Sequence, residues 1–374
     1  MKIGLISGEF PPMPGGVGDF TRILAENLQA RGHSVFVLSR AGSVSARLPV
    51  STVAGWGAGC LLEIRRWARR CSVDLVNLQF QTAAYDMSPF IHFAPDVVGA
   101  PVVTTFHDLR YPYLFPKAGP IRGWFVMRLA RASRGVIATN REDALRLRPT
   151  SRRQVIPIGS SIKRSPPSAS QRAGRRAQIA GDDNPLLLGH FGFVRPIKGV
   201  DYLVEALARL RSCGTDARLV FIGARSNIVD DGADSRYLLA LEESIRRHGL
   251  EDAVHWTGYL SDEEASAWFG AVDLVVLPYV DGASFRRSSL IAALHQGCAI
   301  ITTEPALEEP AFAHGENLWL TPPRSSEAIE NAVLQLLAKP QQLAALRAGA
   351  RRLSQTFDWE RITRDTISFY QSCL

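Results

Sequence analysis

DLVVLPYVDGASFRRSSLIAALHQGCAIITT, residues 273–303, is the stretch on which the fold turns. Leu274 to Leu277 is an apolar run short enough for a strand buried on both faces, and Ala299 to Thr303 is a second. Between them Leu290, Ile291 and Leu294 recur at helical spacing, and Gly297 stands where that helix should stop. Strand, loop, helix and strand make one unit of a parallel α/β sheet. The loop holds a Gly-containing turn (Asp281, Gly282), then Ser284, Phe285, Arg286, Arg287, Ser288 and Ser289 at the mouth of the helix. Free backbone N–H groups at a helix start suit an anion, and a guanidinium adds a forked contact to phosphate oxygens. An ordinary N-cap beside a solvated basic pair has the same composition, so the rest of the chain must decide.

With 374 residues, 46% of them hydrophobic, the chain can build two domains with a core each. No apolar run reaches the ~18 residues of a membrane span. The opening Lys2-Ile3-Gly4-Leu5-Ile6 reads as a strand rather than a signal peptide. Cys60, Cys71, Cys213, Cys298 and Cys373 are scattered, odd in number and without metal-ligand spacing, as expected of reduced thiols in a cytosol with neither zinc nor disulfide frame. The net charge of +7 is uneven: residues 1–165 carry 22 Lys+Arg against 10 Asp+Glu, and the remainder 21 against 26. A basic first half implies something anionic facing it. Nucleic acid is disfavoured, because no aromatic-interleaved basic strand or known binding motif accompanies the charge.

Along the chain the same unit recurs. Ile3 to Ser7 is a strand, and the turn Gly8 to Asp19 contains Gly15 and Gly16. An amphipathic helix through Phe20, Ile23, Leu24 and Leu28 then leads to a strand at Ser34 to Leu38. That arrangement brings backbone close to a ligand at the carboxyl edge of a sheet, although two prolines and the absence of GxGxxG argue against a dinucleotide fingerprint. Residues 57–71 form a helix with Leu61, Leu62, Ile64 and Trp67 among Arg65, Arg66, Arg69 and Arg70. It either buries its apolar stripe or rests on anionic lipid. Strands follow at Asp74 to Leu78 and Pro101 to Thr105. The second runs into Phe106-His107-Asp108-Leu109-Arg110, which sets His107 just past a strand end. Further strands are expected at Gly135 to Thr139 and Gln154 to Gly159. Lys163 to Asn184 is rich in Pro, Ser, Arg and Gly and reads as a linker. Beyond it, Leu186 to Gly199 is again a strand entering a glycine loop, here with Arg195 and Lys198. Arg218 to Gly223 and Val254 to Gly258 are further strands, and Asp358 onward is a last amphipathic helix.

Six segments in order carry a resemblance: EFPPMPGGVGDF (9–20), TTFHDL (104–109), VIPIGSS (155–161), FGFVRPIKG (191–199), TGYLSDEE (257–264) and AALHQGCAIITT (292–303). Together the chain resembles glycosyltransferase family 4, the group 1 glycosyl transferases, over nearly its whole length. The resemblance implies an α/β GT-B architecture: two Rossmann-like, doubly wound parallel-sheet domains with an interdomain cleft. Domain boundaries would be 1–163 (acceptor side), 164–184 (linker), 185–354 (donor side) and 355–374 (a helix crossing back). It further implies a retaining, hexosyltransferase-type enzyme that uses a UDP or GDP sugar as donor substrate, with no cofactor and no metal. The acceptor would be a glycan, a lipid-linked sugar or a small molecule, in polysaccharide or glycolipid biosynthesis. The location would be cytoplasmic, peripheral at the inner face of an anionic membrane.

By the same resemblance Gly15 and Gly16 lie at the donor diphosphate, with Gly16 lending its N–H. Arg195 and Lys198 hold that diphosphate, His107 faces the sugar or the transferring centre, and Gly258, Tyr259 and Leu260 lie near the base. Ser284, Phe285, Arg286, Arg287 and Ser288 complete the donor loop, with Arg287 favoured over Arg286. One departure stands out. The family's Glu-x7-Glu falls on Ser284 and Ala292, so the carboxylates for the sugar and ribose are missing. Two rival readings follow: a degenerate binding or scaffold subunit, and a sugar-nucleotide epimerase, which lacks a convincing carboxylate pair.

Overall fold

The computed structural model describes residues 1–13, 15–109, 119–147, 150, 152–180, 184–225 and 233–374. Pro14 of the glycine turn, Arg110 after His107, and Gly181, Asp182 and Asp183 of the expected linker lie outside the described residues. The chain divides into two compact units, residues 1–161 with 358–374, and residues 162–357.

In the first unit β1 (Lys2–Ser7) leads through α1 (Gly16–Ala30) to β2 (Ser34–Arg40) and β3 (Val50–Val53). There follow α2 (Cys60–Cys71), β4 (Leu75–Phe80), the short α3 (Ala94–Val97), β5 (Val102–Phe106) and α4 (Gly119–Ala132). β6 (Gly135–Ala138), α5 (Arg141–Arg146) and β7 (Arg153–Val155) complete the sheet, in the order β3-β2-β1-β4-β5-β6-β7. All its pairings are parallel. Helices cover such a sheet on both faces, which is why every residue of β4 is buried. α1 turns Val17, Phe20, Thr21, Leu24 and Leu28 inward at helical spacing. α2 buries Ile64 and Trp67, and the indole lies where a Cβ on Gly4 would come within 2.7 Å of it. Of the two readings of this helix, the tryptophan takes the buried one, because β1 offers it a glycine to pack on. Arg65, Arg66, Arg69 and Arg70 remain exposed.

The second unit opens with α6 (Ala169–Ala180), a helix inside the segment expected to be a plain linker. Its Arg176 accounts for that helix. The guanidinium donates to the Ala271 carbonyl at 2.9 Å and to Asp273 at 3.1 Å, so tertiary bonds hold a segment with no apolar period. β8 (Leu186–Phe191), α7 (Val200–Ser212), β9 (Ala217–Ile222), α8 (Ala233–Arg247), β10 (Val254–Trp256) and α9 (Asp262–Ala271) follow. Next come β11 (Leu274–Leu277), α10 (Ser288–Gln296), β12 (Ile300–Thr303), β13 (Trp319–Thr321), α11 (Ser326–Leu337) and α12 (Pro340–Ser354). The sheet order β10-β9-β8-β11-β12-β13 repeats that of the first unit, again all parallel. Both sheets reverse winding beside their first strand, and ligands of open α/β sheets bind at that switch point.

α13 (Trp359–Cys373) belongs to the first unit. It adds Ile362, Phe369, Tyr370 and Cys373 to the cluster that holds Ile3, Leu5, Phe20 and Leu24. Asp358 caps it, Trp359 Nε1 donates to the Ser160 carbonyl at 2.8 Å, and Arg134 and Arg152 donate to the carbonyls of Cys373 and Ser372 at its other end. At about 1.5–3 kcal/mol per fully buried large apolar side chain, these four residues make the helix part of the core.

Candidate functional site

In the second unit the switch point lies between β8 and β11. β8 runs out into the loop that ends in Lys198 and Gly199. β11 runs into Pro278, Tyr279, Asp281 and the loop before α10. Gly199 has φ +63, and a Cβ there would meet the Pro278 carbonyl oxygen at 2.1 Å, so only glycine lets the two loops lie together. Lys198 Nζ donates to Ser289 Oγ at 3.0 Å, and Ser289 Oγ is 2.7 Å from the Tyr279 hydroxyl. The guanidinium of Arg287 lies 5.0 Å from the centre of the Tyr279 ring and pairs with Asp281, while Lys198 Nζ lies 5.1 Å from the same ring. Arg195 pairs with Asp234 at 2.8 Å.

The electrostatics of this cluster are lopsided. Burial pulls the Lys198 ammonium down to about 7; Arg287 and Arg195 add to that pull and Asp281 opposes it. Three cations therefore face two carboxylates, Asp281 and Asp234, at the first turn of a helix whose N–H groups are a further positive end. An anion entering here would relieve the repulsion. Arg287 is the N-cap of α10 and gives it no side-chain cap bond. Tyr279 escaped the sequence reading, and Ser289 entered it only as one member of the loop. The tyrosine is fully buried and reads as strand core, and Ser289 reads as one more small helix-start residue.

The other members of the expected donor loop divide. Phe285 packs its ring against Phe312 and Phe357, with centroids 4.8 and 4.7 Å away, so the ring serves the core. Ser288 is exposed and Arg286 is half-buried. Ser284 Oγ is buried without a hydrogen-bond partner among the described residues. Ala292, where the second family glutamate falls, is 0% exposed. Gly258 turns with φ +74, Leu260 is half-buried, and Tyr259 is 91% exposed.

In the first unit the glycine turn holds an anion of its own. Glu9 Oε1 accepts from the N–H groups of Val17 at 2.9 Å and Gly18 at 3.1 Å, which caps α1. A Cβ on Gly15 would lie 2.2 Å from that oxygen, so Gly15 is there to admit the carboxylate. Burial raises the Glu9 carboxyl above its ordinary range, against the pull of those two N–H groups. Gly16 is exposed, with open space where a Cβ would stand. Of the pair, Gly16 is the one left facing outward.

His107 follows the carboxyl end of β5. Its Nε2 lies 2.8 Å from Gln79 Oε1, its ring meets the Phe20 ring edge to face at 4.9 Å, and burial pulls its pKa down to about 3. The imidazole is neutral at any physiological pH. Among the described residues no group of three or more His, Cys, Asp or Glu is placed to hold a metal ion, and no helix is long and apolar enough to cross a membrane.

Comparisons with known proteins bear on both units. The family model described as Glycosyltransferase Family 4 matches residues 14–162, and that described as Glycosyl transferases group 1 matches residues 185–339. The phosphatidyl-myo-inositol mannosyltransferase of Mycobacterium leprae is 25% identical, over 100% of this chain and 97% of that protein. The D-inositol 3-phosphate glycosyltransferase of Jonesia denitrificans is 29% identical over 48% of this chain and 41% of its own. Among solved structures, Anabaena Alr3699/HepE in complex with UDP superposes with a TM-score of 0.82 at 22% identity, each chain covered in full. That likeness establishes the GT-B fold for these two repeated sheets.

Proposed function

Starting from a chain that belongs to glycosyltransferase family 4, and so is a glycosyltransferase, we propose that it moves a hexose from a nucleotide-diphosphate sugar with retention of anomeric configuration. The observation that carries this reading is the cation-rich cluster of Lys198, Arg287 and Arg195 at the start of α10. As the glycosidic bond breaks, negative charge builds on the departing diphosphate, and fixed cations and helix-end N–H groups stabilise it most in the transition state. Lys198 and Arg287 take that diphosphate. His107, neutral and desolvated, faces the sugar.

UDP is the leading nucleotide, because the HepE structure was solved with it; GDP is the alternative. The acceptor is a lipid-linked or small hydroxylated molecule, in keeping with the inositol-type acceptors in the names of the relatives. The enzyme works in the cytoplasm, in peripheral contact with anionic lipid through the exposed arginines of α2. No metal is needed where Lys198 and Arg287 supply the charge.

Calorimetry with UDP, GDP and the corresponding nucleosides tests the central assignment. Arg287→Ala is expected to weaken diphosphate binding by about 1.5–3 kcal/mol, the range for a charge-assisted bond, and to leave nucleoside binding nearly unchanged. Equal losses for both would show that the cluster does not read phosphate. The anomeric configuration of the product, read by NMR, decides retention.

A further inference from the structure

Asn77 and Gln79 are both 0% exposed in the middle of β4, two residues apart and so on one face of the strand. Buried amides in a central strand must each find partners, and the partners here form a chain with a direction. Asn77 Nδ2 lies 3.0 Å from the Val103 carbonyl oxygen and 2.9 Å from Thr105 Oγ1. A carbonyl only accepts, so this end of Asn77 is its NH2 group and Oδ1 is the other. Oδ1 accepts from the Tyr370 hydroxyl of α13 at 2.7 Å and from Gln79 Nε2. With its NH2 group so committed, Gln79 turns Oε1 toward His107, and the Nε2 of a neutral imidazole beside it must carry the proton.

We infer that this relay, running from the Val103 carbonyl and Tyr370 through Asn77 and Gln79, fixes His107 as the Nε2–H tautomer and makes its Nδ1 a pure acceptor for a substrate hydroxyl. Asn77, Gln79 and Tyr370 are positioning residues in this scheme. None is assigned contact with the donor; they set which ring nitrogen is free. Phe20, edge to face with the imidazole and itself 5.2 Å from the Trp359 ring, fixes the plane of the ring while the relay fixes its protonation. Among the described residues Nδ1 has no hydrogen-bond partner, so its lone pair is available. The group it suits is a sugar hydroxyl that donates, rather than an oxyanion, which would demand a donor. The substrate half of this inference rests on the reading that His107 faces the sugar; the tautomer does not.

Long-range proton–nitrogen NMR on the ¹⁵N-labelled full chain, with His107 assigned through His107→Gln, reads the tautomer without any substrate. The wild type is expected to show Nε2 protonated and Nδ1 bare at neutral pH. Gln79→Leu should give a mixture of tautomers, and Tyr370→Phe a smaller drift the same way. Gln79→Glu keeps the shape and sets a carboxylate against Nε2, and it should raise the His107 titration midpoint by about 1–3 pH units. A wild-type Nδ1–H tautomer or an even mixture overturns the relay, as does a Gln79→Glu midpoint equal to the wild type. The wild-type spectrum stands even if a variant fails to fold. Adding the nucleotide sugar should shift Nδ1, the signature of an accepted hydrogen bond, and deoxygenated donor sugars locate the hydroxyl responsible. A correct tautomer with no ligand shift, and full transfer activity in His107→Ala, would overturn the active-site reading of His107 and leave the relay intact.

Discussion

Lys198 sits where two effects on one ammonium group can be separated. Burial and the neighbouring guanidinium groups hold it at about 7, far below the ordinary lysine value. A bound diphosphate reverses the second effect and draws a proton onto Nζ. Below pH 7 the proton is already present; above it, binding must take one up. Affinity for UDP or GDP is therefore expected to fall as pH rises above 7, approaching about tenfold per pH unit. Calorimetry at pH 8 in buffers of different ionisation enthalpy should show the uptake, and Lys198→Met should abolish it; a pH-independent affinity in the wild type would refute the coupling. For the free protein the sign is opposite. The unfolded chain holds that proton up to about pH 10.5, so stability should rise with pH between 7 and 10.5. A second residue bears on stability. A glutamate at Ala292 would sit in a fully buried position, so Ala292→Glu should lower stability by more than ~1 kcal/mol. Chemical denaturation against the wild type decides it.

At the scale of elements, α1 shows how a helix end can be spoken for before any ligand arrives. Glu9 satisfies two of its N–H groups, so Glu9→Ala should cost about 0.5–2 kcal/mol of stability, the usual worth of a cap. Gly15→Ala, which drives a Cβ into that carboxylate, should cost stability in the wild type and much less in the Glu9→Ala background. Additive losses would mean the two do not meet. The glycine turn was readable in the sequence, but the reason for Gly15 was not, because its neighbour Glu9 comes into contact only once the turn closes. The same holds elsewhere. β11 was legible to the residue, since four apolar positions between breakers admit little else. β3 was missed because Val50–Val53 is short and half polar, and α6 because its stability comes from Arg176 bonds made far along the chain. Of the site, cations beside glycines were legible by type. Tyr279 and the buried amides were not: Tyr370 and Asn77 are 293 residues apart, and no local pattern ties them.

For the molecule as a whole, the positive excess of residues 1–165 and the exposed arginines of α2 predict an electrostatic attraction to anionic surfaces. With Trp67 buried, that helix has little to insert, so the attraction should be Coulombic. Sedimentation with phosphatidylserine vesicles is expected at low salt and should be lost as salt rises, each arginine near the surface contributing about 1 kcal/mol. Replacing Arg65, Arg66, Arg69 and Arg70 by glutamine should abolish it, and binding indifferent to salt would contradict the idea. The placement of α13 carries a different consequence, one of timing. Its apolar face belongs to a core whose other members are translated first, and the entire second unit is translated between them. During synthesis the later, uninterrupted unit can close on itself while the earlier one waits with a sheet face uncovered. The tyrosine that ends the amide relay is made after the whole second unit, so the relay behind His107 is complete only once α13 has docked.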